Sequence, residues 1–152
     1  MSDEQSRVRA QSLVRSLTGA SRVECGPVDV EAARLAYREA GFDVTDQLVP
    51  FLGAYGETKV FWPSRVTGSE ASLTISVEEA VLAFPAYVRS FEKRLGVSAL
   101  PVGVALSTEE VVLLAENGDI VLGGDGGVQR VAHGFEEAMR ALISGDWDMT
   151  FF

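Results

Sequence analysis

The sequence predicts an α+β fold: one domain with a mainly antiparallel sheet of about five to six strands packed against helices. Three observations predict it. The chain has 152 residues, the size of a single domain. Helical patterns come first, consecutive hairpin-linked strand patterns follow, and a helix closes the order. Finally, Asn117-Gly118 separates two apolar runs, the strongest short hairpin signal.

The elements follow in chain order. Residues 4–18 read as a helix, with Val8, Leu13, Val14 and Leu17 at helical spacing and Gly19 after the last turn. Residues 20–27 contain Gly26-Pro27 and read as a connector. Asp29 caps a second helix, "VEAARLAYREAGF", whose Ala33, Tyr37 and Ala40 share a face and whose end is marked by Gly41. Asp46 is expected to cap a third, "QLVPFLGAYG", with Pro50 near the first turn, where a missing N–H costs least. "TKVFWP" is a strand that Pro63 stops, "SRVTGSEA" a polar loop, and "SLTIS" a second alternating strand. Ser76 and Glu79 form a capping box before "VEEAVLAFPAYVRSFEKRLG". Pro85 inside that pattern predicts a kink or two helices, with Phe84, Val88, Phe91 and Leu95 as the buried stripe.

The last third is strand-rich. "LPVGVAL" alternates, and "EVVLLA" and "DIVLG" flank the Asn-Gly turn. A two-residue type I′ loop would set Glu116 opposite Asp119, Ala115 opposite Ile120 and Leu114 opposite Val121. "GGDGG" turns the chain again, "VQRVAH" returns as a strand, and "FEEAMRALISG" forms the last helix, with Phe135, Met139 and Leu142 inward. The tail "DWDMTFF" is too aromatic to read as disordered.

Charge is unevenly spread. The formal net charge is −9. Residues 97–152 hold Glu109, Glu110, Glu116, Asp119, Asp125, Glu136, Glu137, Asp146 and Asp148 against Arg130 and Arg140 alone, so most of the excess lies in that third. Such a field repels phosphate backbones and anionic lipid and attracts basic proteins; it also serves plain solubility. No apolar run approaches a membrane span, and the charged N-terminal stretch lacks a signal peptide's apolar middle, so the expected location is the cytoplasm. Cys25 is the one cysteine, which excludes an internal disulfide.

The residues supply no recognisable catalytic set. The glycine-rich run fails the dinucleotide fingerprint: counting from Gly124 the sixth position is Gln129, and counting from Gly123 the third is Asp125. A P-loop's G-K-[ST] is missing, and a calcium repeat would need an acid at Val128. Those glycines are expected to serve positive φ between short strands. His133 is the one histidine, which excludes a zinc site built on several His or Cys, and its place between a strand and a helix fits capping or loop packing. Adjacent acids such as Glu109-Glu110 or Glu136-Glu137 point apart and form no dyad by themselves. No cofactor or metal is expected.

Three segments resemble the immunity proteins of the SUKH superfamily, third subgroup. "FLGAYGE" resembles that family's helix ending in an aromatic-Gly signature, "FLxxFGGL", with Tyr55-Gly56-Glu57 in place of the double glycine. "SFEKRLGVSALPVGVAL" is similar to its helix, "LG" break and "PIG" strand, with Val102 for Ile. "VLLAENGDIVLGGDGGVQRVAHGFEEAMRALISG" resembles its hairpin and closing helix, with Leu122 for the usual aromatic. The resemblance implies an α+β fold and a protein that binds and neutralises a cognate toxin of a bacterial polymorphic toxin system, often a nuclease or a nucleic-acid deaminase. It divides the chain into residues 1–27 (helix and connector), 28–145 (the family domain) and 146–152 (a tail packed on or near it). The family carries no catalytic residues over. From the charge pattern, Glu109, Glu110, Glu116, Asp119, Asp125, Asp146 and Asp148 are the expected contacts to a basic toxin cleft, with Trp147 as anchor. A general protein-interaction module on the same fold, and a small enzyme with dispersed carboxylates, stay open as alternatives.

Overall fold

The computed structural model describes residues 3–105 and 109–152. Leu106, at the end of the expected "LPVGVAL" strand, lies outside them. In chain order the described elements are α1 (Asp3–Ser16), β1 (Arg22–Cys25), α2 (Val30–Glu39), α3 (Leu48–Tyr55), β2 (Thr58–Pro63), β3 (Glu70–Ile75), α4 (Val77–Ala80), α5 (Pro85–Leu95), β4 (Ala99–Ala105), β5 (Glu110–Ala115), β6 (Asp119–Gly124), β7 (Gly127–His133) and α6 (Phe135–Ser144). All strands join one antiparallel meander in the order β1 to β7.

The sheet thus has seven described strands where the sequence predicted five to six. The addition is β1, which forms from residues read as a connector. Its four residues alternate in exposure and pair with β2 through Val23↔Val60 and Glu24↔Lys59. So short a polar run has no strand signal of its own; a partner strand and α1 packed behind it create the strand. Residues 3–27 are therefore joined to the rest of the described chain. Arg9 donates to the carbonyls of Ala54 and Gly56, and Ser16 donates to Glu136.

Several local expectations hold. Asp29 accepts from the Ala32 N–H at 3.1 Å, and Ser76 accepts from the Glu79 N–H at 3.3 Å. Pro85 divides the long pattern into two helices and occupies the first turn of α5. Asp46 does not cap α3. Its N-cap is Gln47, which is already helical in backbone and leads in from a turn, so no side-chain cap forms. Val8 and Val14, read as part of the α1 stripe, are exposed, whereas Leu13 and Leu17 are buried.

The central strands β4, β5 and β6 are buried along nearly their whole length, as strands covered on both faces are. The registers Val112↔Leu122 and Leu114↔Ile120 align one apolar face, and Leu113↔Val121 the other. Phe91 of α5 lies directly over Gly123, where a Cβ would stand 2.7 Å from its ring. Tyr37 is fully buried and donates its hydroxyl to the Pro101 carbonyl at 2.6 Å. Gly103 marks the tightest approach: a Cβ there would stand 1.8 Å from the Thr74 carbonyl oxygen across the β3–β4 pair.

The β5–β6 hairpin differs from its expected register by one residue. Leu114 pairs with Ile120, and Glu116-Asn117-Gly118 form a three-residue connection. Only Gly118 has positive φ, at 93°, as in a turn closed by a glycine bulge. Asn117 instead accepts from the Asp119 N–H with its side chain at 3.0 Å, which replaces the second positive-φ residue of a type I′ turn. Glu116 and Asp119 therefore do not face each other.

Candidate functional site

The tail gives the C-terminal third its shape. Residues 146–152 run alongside β7, and the Phe152 and Val128 backbones exchange both hydrogen bonds, at 2.9 and 3.0 Å. Gln129 donates its side-chain amide to the Met149 carbonyl. The tail's residues alternate, as extended chain must. Asp146, Asp148, Thr150 and Phe152 line a groove of about 820 Å³ between β7 and α6. Met149 and Phe151 line a second cleft of about 340 Å³ over the sheet's end, with Trp62, Ala105 and Leu122 on its floor. Trp147 borders both and packs partly buried against the core.

The acids named from the sequence fall into separate groups. Asp146, Trp147 and Asp148 sit together on the groove wall. Hydrogen bonds from Thr150 hold the Asp148 carboxyl below its ordinary range. Glu109, Glu110 and Asp125 collect at the other side of the tail, where β5 starts and β6 turns into β7. Asp125 and Glu110 both act on the Tyr87 hydroxyl, which burial in the first place, and then these charges, raises above its ordinary value. Glu109 holds a left-handed backbone at φ 57°, an uncommon conformation for a residue with a side chain. Glu116 lies at the far end of the hairpin beside Asp46 and Gln47, about 20 Å of strand from Glu110. Asp119 is mostly buried: it pairs with Arg130 at 3.0 Å and with His133 at 3.1 Å.

Both cations of this third are engaged inside it. Arg130 is held by Asp119 and lies over the Phe152 ring at 5.3 Å. Arg140 is held by Glu136 and Glu137 and donates to Ser16. Glu136 in turn accepts from Ser16 and from Tyr55 at 2.9 Å. The Ser16 hydrogen bond, with that of Tyr55 and the charge of Arg140, keeps the Glu136 carboxyl below its ordinary range. Burial and Glu136 push the Tyr55 phenol up to about 12.

His133 is the exposed last residue of β7, and its ring stands beside Gly118, where a Cβ would be 2.9 Å away. The glycine-rich run is corrected in one respect. Of Gly123, Gly124, Gly126 and Gly127, only Gly127 has positive φ. The other three make room for neighbours: Phe91 over Gly123, Glu110 beside Gly124, and the Phe151 ring against Gly126. Absence of a side chain, more than turn geometry, is what the run supplies.

Sequence reasoning missed the apolar part of this surface. Phe84, expected in the buried stripe of α5, is 77% exposed, and Leu82 and Tyr87 beside it are exposed as well. Pro85 explains this. The helix starts at Pro85, so Phe84 is its extended N-cap, at φ −72° and ψ 132°, and the helical spacing does not reach back to it. Leu95 is only partly buried, as is Leu142 of α6. Among the described residues, no group of three His, Cys, Asp or Glu is placed to hold a metal, and no helix is long and apolar enough to cross a membrane.

A family model described as SUKH-3 immunity protein matches residues 27–145. No curated protein and no solved structure matches the chain.

Proposed function

This chain belongs to the SUKH-3 immunity protein family, and we propose that it protects its host by binding a cognate toxin through the acidic C-terminal third and covering a basic active cleft. The toxin class that fits is an enzyme acting on nucleic acid, a nuclease or a deaminase, because such enzymes line their clefts with cations for phosphate. One observation carries the reading. The two cations of residues 97–152, Arg130 and Arg140, are spent on Asp119, Glu136 and Glu137. Glu109, Glu116, Asp125, Asp146 and Asp148 are exposed and supply the outward negative field of that third, and Trp147 stands between two of them.

The chemistry is that of an inhibitor. Carboxylates take the place of substrate phosphates, and no bond is made or broken by this chain. Complementary fields also raise the encounter rate, toward about 10⁸ M⁻¹s⁻¹ at low salt.

The test is to ask whether a neighbouring gene encodes a toxin, and to co-express that gene with this chain. Cells producing the toxin should survive when this chain is present and arrest when it is not. Arrest in the presence of abundant, folded chain would refute the reading. For the electrostatic part, a Glu109→Lys, Asp146→Lys, Asp148→Lys variant should associate at least about tenfold more slowly at low salt. An unchanged rate and unchanged salt dependence would refute steering.

A further inference from the structure

The outer edge of β7 is closed at one end only. On its inner side the strand pairs with β6 through Gly123↔Val128, Leu122↔Gln129 and Val121↔Arg130. On its outer side Phe152 bonds the Val128 backbone, and no other backbone hydrogen bond joins tail and strand among the described residues. Alternate residues of a strand turn their N–H and C=O to the same side. Arg130 is therefore aimed as Val128 is, away from β6, and its backbone has no backbone partner there among the described residues. Past Arg130 the register shifts between Ile120 and Val121, a bulge that bends the strand. The tail meanwhile bonds locally: the Thr150 N–H donates to Asp148, and the Asp146 N–H to Ser144. The groove of about 820 Å³ separates the two, with Arg130, Val131 and Ala132 on one side and Asp146, Asp148 and Thr150 on the other. An unpaired strand edge is a template for another extended chain. The Phe152–Val128 pair shows that this edge takes one.

We propose that an extended, basic segment of a protein partner lies in this groove and adds to β7 through the Arg130 backbone, with Asp146 and Asp148 receiving its cations. The proposal rests on the immunity reading above and names the surface that serves it. Charge decides the occupant. Among the described residues two guanidiniums line the groove, and both are engaged: Arg130 with Asp119, and Arg140 with Glu136 and Glu137. His133, at the end of the strand, shares Asp119 with Arg130. Three more cations lie near. Arg65 approaches from the neighbouring cleft, its Cδ 3.9 Å from where a Gly145 Cβ would stand. Arg94 is at the closed end, bonded to the Phe152 carbonyl, and Arg15 turns back to the Gln11 carbonyl. Asp146 and Asp148 make no ion pair among the described residues. With Asp119, Glu136 and Glu137 they outnumber Arg65, Arg130 and Arg140, so the groove is net negative. A second copy of this chain would set acids against acids, whereas a cationic strand meets complementary charge. Lys or Arg at alternate positions of such a strand point to one side together.

The test uses the toxin that passes the survival experiment, purified and bound to wild-type chain, to Arg130→Ala and to Arg130→Pro. Both substitutions remove the guanidinium, with its Asp119 pair and its place over Phe152; only proline also removes the backbone N–H. A strand tolerates proline on an edge, where the N–H points outward. Unfolding midpoints check that both variants fold. Arg130→Pro should bind at least about tenfold more weakly than Arg130→Ala, the cost of one unmade backbone hydrogen bond. In wild-type chain the Arg130 amide, followed by NMR, should exchange at least about tenfold more slowly with toxin bound than without. That reading stands even where the proline variant does not fold. Asp146→Lys with Asp148→Lys should slow association at low salt at least about threefold more than Glu109→Lys with Asp125→Lys, the same charge change away from the groove. Unchanged exchange at Arg130 would overturn strand addition, as would equal affinity of the two folded variants. Equal slowing by the two charge changes would overturn the groove as the seat of the cations. A chain that sediments as a dimer, with Arg130→Pro monomeric, would assign the edge to self-association and overturn the proposal too. If wild type itself fails to rescue, the immunity reading fails first and takes this inference with it; rescue together with any of these contrary results fails only this inference.

Discussion

Two surfaces of the same sheet treat aromatic side chains in opposite ways. On the β1–β3 face, Phe61 stands in the open row between Arg22 and Ser72, yet it is 7% exposed. The Arg22 guanidinium lies 3.7 Å from its ring centroid and Lys59 lies at 5.1 Å. Arg22 is itself paired with Glu24 and Glu70. That face is closed by its own charges and asks for nothing. At the β6–β7 end, Phe151 lies against Gly126 of the turn and is left open, and on α5 Tyr87 and Phe84 are exposed as well. The same residue types make a finished surface where cations cover the ring and an unfinished one where they do not.

Substitutions can break or sharpen that contrast. The largest effect is expected where both surfaces share a scaffold. Gly103→Val places a side chain into the Thr74 backbone, and should cost roughly 3 kcal/mol or more, lowering the denaturant midpoint and melting both surfaces together. Removing residues 147–152 should cost about 2 kcal/mol, through the lost Trp147 packing and the lost Val128–Phe152 pair. Hydrogen exchange should then speed up along β7 and leave β1–β3 unchanged.

A smaller effect depends on pH. Glu136 is held below its ordinary range by Ser16, Tyr55 and Arg140. A group depressed in the folded state contributes stability above its unfolded value, near about 4.3, and loses it as the pH falls through its folded value. Denaturation at pH 7 and at about pH 3 should therefore show Glu136→Gln destabilised at pH 7, with the gap to wild type narrowing in acid. The smallest change is Arg22→Ala, worth about 0.5–1 kcal/mol at an exposed site. It should uncover Phe61 and raise dye binding on the β1–β3 face without affecting toxin affinity.

Most of the fold could be read from local chemistry. Asp29, Ser76 and Pro85 mark helix starts because each acts through its own neighbours. Strands β2 to β7 announce themselves by apolar pattern. What stayed hidden depends on distant partners or on small geometric choices. β1 exists because β2 offers an edge. The β5–β6 register turns on whether Asn117 takes positive φ or bonds Asp119 with its side chain. For the candidate site, the acids were visible as a charge excess, but their separation to opposite ends of a hairpin was not. Asp119 is withdrawn by Arg130, a pairing set by the β6–β7 register. The apolar half of the site was hidden because Phe84 keeps helical spacing with Val88 and Phe91 while standing outside the helix.

The contrast between the two surfaces is tested most directly by a hydrogen-exchange footprint of the chain with and without its bound toxin. Slowed exchange in the Asp125-Gly126 turn and the tail, with β1–β3 unchanged, is the expected result. Slowed exchange confined to β1–β3 would contradict the account.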